Sequence, residues 1–124
     1  MAFIVDDDGN ITLVQGDSGQ LVVEDLPTDK NYTVYFAICN SNRVRVGTEI
    51  SVAANQSPTV VFEITATLTD LLTVPLGEEM AEYYYGIKIC DSLTNLEDTL
   101  CINNGDIGDI NSVFVYPRKV EGLT

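Results

Sequence analysis

The chain has 124 residues, 45% of them hydrophobic and 20% charged, with a formal charge of −13 and no histidine. This length suits one domain, 1–124, with its own core, and the charge argues against nucleic acid and anionic lipid as partners. Eight acids face three bases in residues 1–62 and eleven face three in residues 63–124, so the acidity is spread over the surface rather than confined to a tail.

"MAFIVDDDGN" opens on a five-residue apolar run with no basic region, so no signal peptide is expected and residues 1–9 read as a short arm. Its "DDDGN" invites a calcium-loop reading. That alignment puts Ile4 and Gln15 where oxygen and glutamate ligands belong, so a hairpin turn centred on Asp8-Gly9 is the better reading. "ITLVQ" (11–15) and "QLVVED" (20–25) are short β patterns joined by the turn cluster "GDSG". "NYTVYFAIC" (31–39) sets Tyr32, Val34, Phe36 and Ile38 on one face against Thr33, Tyr35, Ala37 and Cys39 on the other. "RVRVGTEISV" (43–52) alternates Arg43 and Arg45 with Val44 and Val46, which predicts one solvated face, and Gly47 marks a bulge. "TVVFEITAT" (59–67) alternates again. "TDLLTVPLGEEM" (69–80) breaks the rhythm: Asp70 is placed to cap one helical turn, and Pro75 ends it.

"EYYYGIKIC" (82–90) resumes as a central core strand. Tyr83, Tyr85, Ile87 and Ile89 share one face, and Tyr84 is the tyrosine expected at the surface. "EDTLCI" (97–102) and "NSVFVYP" (111–117) complete the series, with "NNGDIGD" between them and a tail at 117–124. Seven to nine short strands with turns between them predict an antiparallel sandwich or barrel, with a core over about residues 10–116. No stretch approaches about 18 apolar residues, so no membrane-spanning helix is expected.

The inventory for chemistry is poor. Without histidine there is no Ser-His or Cys-His pair and no usual zinc site, and Ser18 in "GDSGQ" has no triad. Glu78/Glu79 and Glu97/Asp98 read as solvated acids rather than a glycosidase pair. The three cysteines, Cys39, Cys90 and Cys101, read as small buried side chains, with a Cys90–Cys101 bridge as the alternative. Three N-x-S/T matches at Asn10, Asn31 and Asn55 read as chance. No cofactor is expected. Asp106 and Asp109 are the candidate calcium ligands, in the loop 103–109. The inventory points away from an enzyme.

Several strings together resemble the N-terminal immunoglobulin-like domain of phage baseplate upper proteins: "ITLVQGDSGQLVV", "YTVYFAI", "FEITATLTDLLTVPLGEEMAEYYYGIKI" and "EDTLCINNGDIGDINSVFVYP", about residues 10–116. The resemblance implies an immunoglobulin-like antiparallel β-sandwich in a virion. Antibody hallmarks are missing, since there is no tryptophan and no tyrosine two residues before a cysteine. Members of that family usually continue into longer chains. A single short domain better suits a protein seated on another assembly, so the expected function is a non-enzymatic virion structural protein decorating the phage head. Its partner would be the major capsid protein, and it would be made in the bacterial cytoplasm. A baseplate or tail adaptor with tail-protein partners is the alternative. A carbohydrate-binding module stacking sugars on Tyr32, Tyr35 or Tyr84 is a third reading. The residues expected to meet a partner are Phe3 and Ile4 in the arm, Tyr84, and the basic pair Arg118 and Lys119; an open strand edge is a further route.

Overall fold

The computed structural model describes residues 3–91, 93, 97–100 and 111–117, with 97–100 as backbone alone. The described elements are strands β1 (Phe3–Val5), β2 (Ile11–Val14), β3 (Gly19–Val23), β4 (Tyr32–Cys39), β5 (Arg45–Ala53) and β6 (Val60–Ile64), helix α1 (Ala66–Asp70), and strands β7 (Ala81–Asp91), β8 (Glu97–Leu100) and β9 (Asn111–Tyr116). They form two sheets. The larger runs β1-β2-β9-β7-β4-β5, with β8 also on β7, and the smaller is the pair β3-β6. This is the expected immunoglobulin-like sandwich. Asp106, Asp109, Arg118, Lys119 and Cys101 lie outside the described residues, so the calcium-loop and basic-pair expectations fall outside it, while Cys90 is a free thiol and the Cys90–Cys101 alternative is not formed.

One pairing departs from the antiparallel expectation: β2 runs parallel to β9, Ile11 beside Val113 and Val14 beside Tyr116. Parallel neighbours need a long connection between them, and nearly the whole domain separates these two. β8 and β9 both lie along one edge of β7. Leu100 pairs with Ile87 and Asn111 with Tyr85, so they are successive stretches of one row, separated along the sequence by residues 101–110.

Between the sheets lies the core. Period-two alternation delivers Val34, Phe36 and Ile38 from β4, Tyr83, Tyr85, Ile87 and Ile89 from β7, and Leu21, Val23, Val60, Phe62 and Ile64 from the smaller sheet. Phe36 is its centre, with ring centroids 5.6 Å from Phe62 and 5.3 Å from Tyr85. The Tyr85 hydroxyl donates to the Gly9 carbonyl, which ties the core to the β1–β2 hairpin. That hairpin turns as expected at Asp8-Gly9, where the Asp6 carboxylate accepts from the amides of Asp8 and Asn10, both at 2.9 Å. The Asp6 carboxylate thus holds the turn.

Three details correct the sequence reading. Phe3–Val5 is a strand of the larger sheet rather than an arm, because Phe3 packs against the core and over Gly19. A Cβ on Gly19 would sit 2.2 Å from the Phe3 ring, so only glycine admits this contact. The helix begins earlier than Asp70 allowed. Thr65 is its cap, accepting from the Leu68 amide at 3.2 Å, and Asp70 is its last residue. The threonines at 65 and 67 continue a strand-like alternation, but a helical turn is what buries both Leu68 and Leu72. Cys39 and Cys90 are free thiols and half-buried, because both point to the outer side of the larger sheet.

A tyrosine hydroxyl also anchors the β7 end of the sheet. Tyr83, at the start of β7, donates its hydroxyl to the Thr73 carbonyl at 2.7 Å. The bond ties the start of β7 back to the segment that follows α1, ten residues upstream.

Candidate interaction surface

The larger sheet has an inner and an outer face. The smaller sheet covers the inner one; among the described residues no second layer covers the outer one. Strand register orders the outer side chains into rows. Ile4, Thr12, Phe114 and Glu82 form one row across four strands. Ser112, Tyr84, Cys39 and Arg45 form the next. Then come the small pair Gly86 and Ala37, and beyond them Lys88, Tyr35 and Ser51.

This surface is less polar than a solvated sheet face needs to be. Ile4 is 60% exposed and Tyr116 37%, while Val14, Phe114, Tyr84 and Tyr35 are half-buried. Polar links hold its strands in place: Ser112 Oγ donates to Glu82 Oε2 at 2.7 Å, and Asn10 Oδ1 accepts from the Ser112 amide at 2.9 Å. Of the described residues expected to meet a partner, Ile4 and Tyr84 lie on this face. Tyr84 is half-buried rather than exposed, because β4 and β9 flank it. Phe3 points the other way into the core, so it is a packing residue. The sugar-stacking row does not form, because Tyr32 packs on the core and donates to Asp29 Oδ1 at 3.0 Å while Tyr35 and Tyr84 face outward.

At the middle of the face is an open depression of about 470 Å³. Ala37 and Gly86 make its floor, and a side chain added at Gly86 would meet nothing within 4 Å. Arg43, Arg45, Lys88 and Glu49 stand around it. The β4–β5 hairpin positions the arginines: the Asn40 carboxamide accepts from the amides of Asn42 at 2.9 Å and Val44 at 3.1 Å, and Arg45 pairs with Glu49 at 3.6 Å. The bulge expected at Gly47 lies alongside, where the β4–β5 register shifts between Phe36 and Ile38. Gly47 has φ +76, and a Cβ there would come within 2.6 Å of Leu68. The Cys39 thiol lies in the depression; burial raises its pKa and the Arg43 guanidinium pulls it back. Sequence reading missed this site, since Lys88 is far along the chain from Arg43 and Arg45 and is brought beside them only through the β4–β5 and β4–β7 registers.

A second groove of about 470 Å³ runs between β5 and α1, past Gly47, Ile50, Leu68 and Leu71. Among the described residues no group of three metal-ligating side chains occurs.

No protein-family model matches the chain, and no curated protein matches it. Among solved structures, the crystal structure of the periplasmic chaperone SfaE is similar, with a TM-score of 0.52 and 12% sequence identity over 86% of this chain and 53% of that one. The chain therefore spans about half the length of that neighbour, and a likeness at this identity carries the fold alone: an immunoglobulin-like β-sandwich.

Proposed function

We propose that the chain is a non-enzymatic structural protein of a phage virion, a head decoration protein that docks on the capsid by the outer face of its larger sheet. The observation that carries the docking claim is that face itself: a sheet surface with Ile4, Phe114, Tyr84 and Tyr35 on it and, among the described residues, nothing stacked over it. Exposed apolar surface of this kind, rimmed by polar groups, is characteristic of protein contact sites. The virion setting rests on the resemblance of residues 10–116 to the phage domain. A baseplate or tail adaptor is the second reading, favoured because the domain resembled belongs to baseplate proteins.

Separation of phage heads from tails on a density gradient, with peptide mass spectrometry of each fraction, tests this. The protein is expected with heads, at a copy number near that of the shell subunit. Recovery with tails at low copy moves the reading to the adaptor, and absence from both overturns the virion assignment.

A further inference from the structure

The larger sheet ends on β1 at one side and on β5 at the other. β1 is three residues long and offers little edge, whereas β5 runs for nine. β5 pairs with β4 alone, and their register tells which of its backbone groups are left over. The Ala54 amide donates to the Tyr32 carbonyl at 2.9 Å, in the same register as Val34–Val52 and Phe36–Ile50. In an antiparallel ladder, bonded pairs alternate with non-bonded ones. Ile50 and Val52 therefore turn their amides and carbonyls to β4, while Ser51 and Ala53 turn theirs away from the sheet. Among the described residues no backbone or side-chain partner meets these two.

An open edge of this kind is a template for a further strand, and sheets commonly blunt it with bulges, charges or prolines. Here the register shift falls between Val46 and Ile50, ahead of the open stretch, and beyond Glu49 the strand carries no charge and no proline. The second groove lies along this edge. Gly47, Ile50, Leu68 and Leu71 give it an apolar lining, and Leu71 is 51% exposed. Its charged side chains are Glu49 and Glu63. Arg45 pairs with Glu49, but Glu63 takes a hydrogen bond from the neutral Gln20 amide at 2.7 Å, and among the described residues no cation pairs with it. A second copy of the chain suits this edge poorly, since each copy carries a charge of −13.

We infer that the free edge of β5 takes an extended segment of a basic partner protein as an added strand. The segment's backbone bonds to Ser51 and Ala53, its alternate apolar side chains enter the groove over Leu68 and Leu71, and a lysine or arginine reaches Glu63. This surface is separate from the outer face, and the inference holds whether or not the protein belongs to a virion.

The test uses the full chain, isotope-labelled, at about 0.15 M salt, with a blocked heptapeptide of alternating valine and lysine titrated in and backbone amides followed by NMR. Saturable shifts confined to Gly47–Ala53 and Thr65–Leu71 are expected, with slowed hydrogen exchange at the Ser51 and Ala53 amides. The same peptide N-methylated throughout offers no donors to the edge and should not bind. Ser51→Pro removes an outward amide, which an edge strand tolerates, and should weaken binding about tenfold, or about 1.4 kcal/mol. Leu71→Ser, at an exposed position, should weaken binding about threefold, and it decides the matter should Ser51→Pro fail to fold. Glu63→Gln should weaken binding in the same direction. Absence of shifts, shifts elsewhere, equal binding of the methylated peptide, or unchanged affinity in the folded variants overturns the proposal. A dimer of the free protein that Leu71→Ser dissociates would make the occupant a second copy and also overturn it. Recovery with heads or tails bears on the virion reading alone.

Discussion

Phe36 and Tyr35 are neighbours on one strand, yet they belong to different environments. Phe36 is fully buried between Phe62 and Tyr85, while Tyr35 stands half-buried beside Lys88 on the outer face. The contrast holds along the whole larger sheet. Its inner face is apolar from Leu13 through Val115, Tyr85 and Phe36, and its outer face mixes aromatics, thiols, small residues and three cations. Stability depends on the inner face through close packing. The outer face is free to vary, so its departures from plain polarity are where function is to be sought.

The largest expected effect lies on the inner face. Phe36→Ala should destabilise the protein by about 3–5 kcal/mol, as for other buried aromatics, whereas Tyr35→Ala should cost about 1 kcal/mol or less. Urea unfolding measures both, and equal losses would mean that the two faces are packed alike. Gly19→Ala is next. It drives a methyl group into the Phe3 ring and should cost about 1–3 kcal/mol. In a Phe3→Ala background most of that cost should vanish, because the two side chains occupy the same space. Full additivity would place Phe3 elsewhere.

Tyr85→Phe removes the hydroxyl that reaches Gly9 and should cost about 1 kcal/mol near neutral pH. Burial, reinforced by the Asp6 carboxylate, pushes the Tyr85 hydroxyl up to about 12 from its ordinary 10.0. The folded state therefore holds this proton more tightly than the unfolded chain does. The contribution is complete below pH 10 and is lost as pH rises towards about 12. Urea midpoints measured across that range should fall for the parent and fall less for Tyr85→Phe; parallel curves would contradict the assignment.

The smallest effects on stability should come from the outer face. Ile4→Ser and Tyr84→Ala should each change stability by about 1 kcal/mol or less, yet both should reduce recovery of the protein with particles. A large loss of stability without loss of recovery would make them packing residues.

Much of the fold was legible because a buried strand leaves a period-two trace. The faces of β4 and β7, the Asp8-Gly9 turn and the Gly47 bulge all follow from residues within a few positions of one another. What was not legible depends on distant partners. Three residues cannot show a period, so β1 is defined by Phe3 meeting Gly19. The parallel β2–β9 pair joins the two ends of the domain. The helix hid inside threonines that suit a strand equally well, and only burial of Leu68 and Leu72 decides for it. At the site, Tyr84 was visible as a tyrosine out of phase with the core, and Ile4 as part of an apolar run at the N-terminal end. The depression was not, because Arg45 and Lys88 lie on β5 and β7, whose register through β4 a single sequence does not reveal.

Cys39 and Cys90, both half-buried on the outer face, offer the most direct measurement. Alkylation of the free protein and of intact particles, quantified by peptide mass spectrometry at each cysteine, compares the same face alone and in its assembly. The account predicts that both thiols react in the free protein and are protected in the particle. Equal labelling in the two states would show that the outer face is not the docking face.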